Sequence, residues 1–144
     1  MGDHSTVMRW DGSALAVANA PAAERYLTVH GCGPSDVTIV GGSVTASAAH
    51  WDGTAWADAT PTDAGPLAGV FCAGGTTWIS GAYGYAARRA GTGAWTTVET
   101  PIDISTLTIH GLYATAAGRV LGAGGNLNAS GSESRLGFAL ERTP

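Results

Sequence analysis

The sequence predicts an all-β fold, a β-propeller of four-stranded antiparallel blades, and two observations lead to this prediction. First, a motif recurs about every 40 residues, as Trp10-Asp11-Gly12, then as Trp51-Asp52-Gly53, and in a reduced form before Trp95. Second, each period contains short runs of strand-forming residues separated by turn residues. A fixed period of this length that holds short strands is typical of propeller blades.

The first two periods supply six predicted strands. The first period is truncated and gives strands at 6–10 and 14–17. The second is the clearest, because β-branched and aromatic residues alternate between strong turn signals at Gly33-Pro34-Ser35-Asp36 and Asp52-Gly53. Its four strands are predicted at 26–31, 37–40, 44–51 and 55–59.

The third and fourth periods repeat this plan. Strands are predicted at 67–72, 77–80, 83–89 and 94–98, and then at 107–111, 119–123 and 136–141. No helix is predicted, because Asn19 and Pro21 interrupt the one stretch of helix-forming residues, at 14–25.

These strands divide the chain into parts of one propeller segment, 1–144. A part-blade covers 1–20, blades cover 26–60 and 67–99, and a part-blade covers 107–144. The total is about three four-stranded blades per chain, whereas closed propellers use about four to eight. We therefore expect oligomerisation to complete the propeller, with a homodimer as the expected form.

Composition excludes some classes of protein. Hydrophobic residues make up 44% of the chain and charged residues 12%, which suits a folded domain. The net charge of −4 argues against a nucleic-acid partner. No apolar run is long enough for a membrane span, and the polar start Met1-Gly2-Asp3-His4 predicts no signal peptide.

Residues 29–41 and 50–56 carry a family resemblance. They read VHGCGPSDVTIVG and HWDGTAW, and they resemble a repeat of secreted proteins from myxobacteria and their relatives, V-W-G-S-G-P-D-D-V-W-A-V-G followed by H-W-D-G-x-x-W. The turn is also similar to a shortened Asp-box of the BNR type. The sequence departs from the pattern at His30 and Thr38, where tryptophan is expected. The resemblance implies a propeller and an extracellular or cell-envelope location, and it implies no chemistry.

One candidate ligand position lies at the end of the innermost strands. His30, Phe71 and His110 share this position in successive periods, and in a propeller it lies near the axis. They are either half-buried spacers or a ring of side chains that contacts a ligand. No third ligand recurs beside the two histidines, so the sequence predicts no metal site.

A second candidate group is a polar and aromatic cluster in the third period. Its members are Trp78, Tyr83, Tyr85 and Arg88, and we treat them as possible ligand contacts. No catalytic constellation accompanies them. Gly122 to Gly125 is interpreted as a turn and not as a dinucleotide fingerprint, so no cofactor is predicted.

The remaining conspicuous residues have structural interpretations. The recurring Trp10, Trp51, Trp56 and Trp95 are expected to pack between blades, and Asp11 and Asp52 to accept hydrogen bonds within their own turns. Cys32 and Cys72 are expected to be free and buried in preference to disulfide-bonded, because they are one position out of register. The polar stretch 125–135, which includes the glycosylation pattern Asn128-Ala129-Ser130, is either a functional or a mobile loop.

The sequence therefore favours a non-enzymatic binding or scaffolding module whose ligand is a glycan or a protein. A glycosidase or sialidase-like enzyme is the alternative, because that class uses the same fold. A purely structural segment of a larger propeller is the third interpretation.

Overall fold

The protein is described from a computed structural model, which covers residues 6–21, 23, 25–126 and 136–144. Within these ranges the chain forms thirteen β-strands and one short 3-10 turn, and it contains no α-helix. No helix in the described part of the chain is long and apolar enough to cross a membrane.

The first two sheets follow the chain in order, with each strand antiparallel to the next. Sheet 1 is a hairpin of β1 (Val7–Trp10) and β2 (Leu15–Ala18). Sheet 2 has four strands, β3 (Tyr26–Gly33), β4 (Asp36–Gly41), β5 (Ser47–Trp51) and β6 (Trp56–Asp58).

The other two sheets have the same meander topology. Sheet 3 has four strands, β7 (Leu67–Ala73), β8 (Thr76–Gly81), β9 (Ala86–Ala90) and β10 (Thr96–Thr97). Sheet 4 has three, β11 (Thr108–Ala114), β12 (Val120–Gly125) and β13 (Gly137–Arg142). The all-β prediction is confirmed for the described residues, and the strands fall into four antiparallel sheets.

Two predicted strands begin three residues later than expected, and the first of them is β5, which was predicted at 44–51 and begins at Ser47. The prediction placed the third strand of the third period at 83–89, but β9 begins at Ala86. Tyr83 and Gly84 lie in a 3-10 turn and adopt positive φ angles of 60° and 68°. An extended strand excludes this left-handed conformation, so pairing starts only after the turn.

The two aspartate turns are built alike, as predicted. Asp52 Oδ1 accepts hydrogen bonds from the backbone N–H groups of Thr54 (2.7 Å) and Ala55 (2.8 Å). Asp11 Oδ1 accepts the equivalent bonds from Ser13 and Ala14, both at 2.8 Å. The next residue, Gly12 or Gly53, has a φ near 100°, a conformation that glycine adopts without steric cost.

The core lies between the sheets. Val40 and Ala48 of sheet 2 pack against four buried residues of sheet 3, which are Leu67, Val70, Ile79 and Ala87. Sheet 3 in turn packs against sheet 4, where Trp78 meets Ala114 and Val120. Single hydrogen bonds also link neighbouring sheets: Thr28 donates to the Ala68 carbonyl at 2.6 Å, and Ser80 donates to the Ile109 carbonyl at 3.0 Å.

This packing predicts that Ile79 contributes far more to stability than an exposed isoleucine does. Ile79 is fully buried between sheets 2 and 3, whereas Ile102 is 51% exposed. Ile79→Ala should lower the free energy of unfolding by about 3 kcal/mol, and Ile102→Ala by less than about 1 kcal/mol. Urea denaturation of both variants measures the difference. Equal losses would show that the space between sheets 2 and 3 is not the core.

The aspartate turns predict a stability contribution that depends on pH. Hydrogen bonds from Ala55 and Thr54 lower the pKa of Asp52 from 3.8 to about 2. Because the pKa is lower in the folded chain, the carboxylate stabilises the fold above about pH 4, and this contribution is lost as the pH falls toward 2.

Between pH 4 and pH 2 the melting temperature of Asp52→Ala should therefore fall by less than that of the wild type. The control is Glu99→Ala, since Glu99 is exposed and lies outside the turn. If the two variants had the same pH profile, the turn carboxylate would have no such role.

Candidate functional site

A row of aromatic rings crosses the innermost strands of three successive sheets. The ring of His30 on β3 stacks on Phe71 of β7, with centroids 4.1 Å apart and planes inclined by 24°. Phe71 also contacts Tyr113 of β11, at 5.1 Å. His30 Nδ1 accepts a hydrogen bond of 3.0 Å from the backbone N–H of Cys72, which fixes the orientation of the imidazole ring. The row is thus held by a sheet-to-sheet hydrogen bond.

His110 occupies a different place from the one expected for it. It falls where the β11–β12 register shifts, between Ile109 and Gly111. After this irregularity Tyr113, and not His110, contacts Phe71. His110 is half-buried, and its Nε2 atom is buried without a hydrogen-bond partner among the described residues.

Cys32 and Cys72 form a disulfide bond, which corrects the expectation of free cysteines. Their Cα atoms are 5.2 Å apart, within the usual range for a disulfide. The register mismatch does not prevent the bond, because the β3–β4 register shifts between Gly31 and Gly33, at Cys32. The bond joins β3 of sheet 2 to β7 of sheet 3 across 40 residues of sequence. Loop-closure entropy for such a span corresponds to about 4 kcal/mol.

A charged group lies beside the disulfide. Asp36 Oδ1 is 2.9 Å from His50 Nε2, and His50 is largely buried. Arg89 is also buried: its guanidinium donates to Thr38 Oγ1 at 3.4 Å and lies 4.4 Å from the centre of the Trp95 ring. Burial lowers the pKa of Arg89, and the nearby Asp36 carboxylate partly offsets this effect. Two acid–base side chains and a cation are therefore held in one place between sheets 2 and 3.

Trp78 contacts Arg88, as well as a second arginine, Arg142. The guanidinium groups of Arg88 and Arg142 each lie 5.6 Å from the Trp78 ring centre. A cleft of about 520 Å³ lies between sheets 3 and 4 and is lined by Trp78, Val98, Leu112 and Arg142, among others. Trp78 itself is buried, so its ring packs against sheet 4 and offers little surface to a ligand.

Tyr83 and Tyr85 line a separate and more open depression, near residues 97–105. Tyr83 is 70% exposed. The Tyr85 hydroxyl donates to Asp63 Oδ1 at 3.3 Å, and burial together with the Asp63 charge raises the pKa of Tyr85 to about 12. The seven candidate residues thus lie in several places and do not form one site.

An apolar cleft of about 610 Å³ lies between sheets 1 and 2. Trp10, Tyr26, Trp51 and Trp56 line it, together with Val29 and other apolar residues. Trp51 and Trp56 contact each other at 5.7 Å, and the Arg9 guanidinium lies 5.3 Å from the Trp51 ring centre. Trp10 is 60% exposed. These three tryptophans line an open cleft, whereas Trp95 joins two sheets by donating to the Ala59 carbonyl at 2.7 Å.

The sequence did not predict several of the side chains that form these candidate sites. Tyr113 was missed because the structural equivalent of Phe71 in the fourth period lies 42 residues further on, and not the 39 that lead to His110. β3, β7 and β11 all shift register near their start, and Tyr113 lies two residues beyond that shift, as His30 and Phe71 do. Arg142 was missed because its partner is set by packing between sheets. Asp36 and His50 both lie inside the segments 29–41 and 50–56 that carry the family resemblance, which is a signal that could have found them. The stretch 127–135, including Asn128-Ala129-Ser130, lies outside the described residues.

Comparison with known proteins returns no relative. No family model matches the chain, and neither does any curated protein or solved structure.

Proposed function

We propose that this chain is a non-enzymatic binding and scaffolding module that assembles with a second copy into a propeller. The observation that carries the proposal is a pair of apolar sheet faces, one on sheet 2, where sheet 1 covers it only in part, and one on sheet 4. Each face is equivalent to a face that packs against another sheet inside the chain.

The first of these faces belongs to sheet 2 and points away from sheet 3. In both sheets 2 and 3, residues of three neighbouring strands pair in the same register: Val29, Ile39 and Ala49 in sheet 2 correspond to Val70, Ile79 and Ala87 in sheet 3. In sheet 3 these residues pack against sheet 2. The equivalent face of sheet 2 is therefore suited to receive another sheet.

Sheet 1 covers only part of that face. Its turn, Trp10-Asp11-Gly12, corresponds to Trp51-Asp52-Gly53, so β1 and β2 are equivalent to the outer strands β5 and β6. Val7 packs on Tyr26, Ile39 and Ala49. Val29, on the innermost strand, stays 54% exposed beside the apolar cleft.

The second face is the side of sheet 4 that points away from sheet 3. Leu112, Ala114 and Val120 face sheet 3, so the alternating residues Tyr113 and Leu121 point the other way. These two are cross-strand partners and are 53% and 37% exposed. The same face carries only small residues at Gly111, Ala123 and Ala139, which let another sheet approach closely.

A second copy fits both faces at once. Sheet 4 of one copy packs on sheet 2 of the other, and the reverse contact closes the pair around a two-fold axis. Tyr113, at the exposed end of the aromatic row, then lies next to His30 of the second copy. The closed pair carries six rings around its axis, from His30, Phe71 and Tyr113 of each copy. We propose this ring as the ligand position, with a glycan or a protein as ligand.

An extracellular or cell-envelope location fits this proposal. The disulfide supports it, because such bonds persist in oxidising compartments.

Assembly is tested by sedimentation at micromolar concentration. The wild-type chain should sediment as a dimer. Leu121→Arg places a charge on the outer face of sheet 4 and should give a monomer with an unchanged β-sheet spectrum. Ile102→Arg, at an exposed site outside both faces, should remain dimeric. A wild-type monomer would refute the assembly, and it would leave a further segment of a longer protein as the occupant of these faces.

Ligand binding is tested with a glycan array and a panel of fluorogenic glycosides. We expect the chain to bind one class of glycan on the array and to hydrolyse none of the glycosides. His30→Ala should bind that glycan more weakly than the exposed control Val44→Ala does. Hydrolysis of any glycoside by the pure chain would contradict the non-enzymatic proposal. Equal retention by the two variants would exclude the ring as the binding position.

A further inference from the structure

We propose that the Cys32–Cys72 disulfide conceals a zinc site, which forms with Asp36 when the disulfide is reduced. This inference is independent of the proposed assembly, because it concerns the space between sheets 2 and 3 within one chain.

The geometry of three ligand atoms supports the site. The two cysteine sulfurs and a carboxylate oxygen of Asp36 all lie within 4.8 Å of one another. Ligands on one tetrahedral zinc are about 3.5–3.8 Å apart, given Zn–S distances of about 2.3 Å and Zn–O distances of about 2.0 Å. The three atoms therefore need to move by only about 1–2 Å to surround an ion. Two thiolates and a carboxylate are ligands that zinc accepts, and water completes the tetrahedron.

The surroundings hold these ligands in place. His50 Nε2 contacts Asp36 Oδ1 at 2.9 Å, so the imidazole orients the carboxylate as the outer partners of zinc ligands do. The Thr77 hydroxyl donates to Cys72 Sγ at 3.4 Å. Cys32 is exposed and Cys72 is buried, so a reductant and an ion reach the site from the Cys32 side.

The local charges also balance. A zinc ion with two thiolates and one carboxylate carries a net charge of −1. The buried guanidinium of Arg89, which interacts with Asp36, offsets that charge. A filled site is therefore electrically neutral as a group, which limits the cost of its partial burial.

The site opens through a balanced reduction. A trialkylphosphine donates two electrons to the disulfide, the S–S bond breaks, and two protons from water complete the thiols. The phosphine becomes its oxide and takes up the oxygen of that water. Zinc then displaces the two thiol protons as it binds, so each ion bound releases two protons.

Cobalt(II) is the probe, because its thiolate complexes absorb visibly and zinc displaces it. The phosphine-reduced chain should bind one cobalt ion with a thiolate-to-metal absorption band, which zinc then removes. The unreduced chain should show no band. If the reduced and folded chain gives no such band, the proposal is overturned.

Variants identify the third ligand. Asp36→Asn should weaken binding by at least about tenfold, and Cys72→Ser should abolish the two-thiolate band. The matched control is Asp11→Asn, an exposed aspartate in the β1–β2 turn, and it should bind as the wild type does. Equal affinities for Asp36→Asn and the wild type would refute the three-ligand site.

Reduction could also unfold the chain, and that outcome is informative too. Circular dichroism would then be followed during zinc addition. Recovery of the β-sheet spectrum at one equivalent of zinc, but not in Asp36→Asn, supports the site, because metal binding then drives folding. A wild-type chain that stays unfolded at saturating zinc contradicts it.

Discussion

Face-to-face packing of successive sheets is the interaction on which the rest of this structure depends. Each sheet alone is a short meander with little apolar surface of its own, and the buried residues come from pairs of neighbouring sheets. Leu67, Val70 and Ile79 are buried in a cluster to which sheet 2 contributes Val40 and Ala48. The fold is therefore a row of sheets in which each sheet stabilises its neighbours.

The same packing positions the candidate sites. Successive inner strands lie side by side, so residues about 40 positions apart come into contact. His30 meets Phe71, and Cys32 meets Cys72, through this single relation between β3 and β7. The pair of the half-buried Asp36 and the buried His50 lies against the same strands. Side chains that are unremarkable in sequence thereby form a compact polar group beside an aromatic row.

The runs of strand-forming residues and the turn chemistry made the all-β character and the approximate strand positions predictable from sequence. Asp52 and Gly53 specify their turn locally, so the hairpin could be predicted without tertiary information. The sites were less predictable, because they depend on register. A shift in β3 brings Cys32 to Cys72. In β11 the position equivalent to Phe71 falls at Tyr113, three residues beyond His110. Such irregularities leave no trace in a hydrophobic pattern.

Hydrogen exchange of the backbone amides tests the central claim most directly, because it ranks the strands by local stability. If packing between sheets holds the fold, the amides of β4 and β8 should be the slowest to exchange. Those of β1 and β2, whose hairpin exposes Met8, Leu15 and Val17, should be the fastest among the strands. Protection of β1 and β2 equal to that of β4 and β8, or fast exchange in β8, would contradict the account.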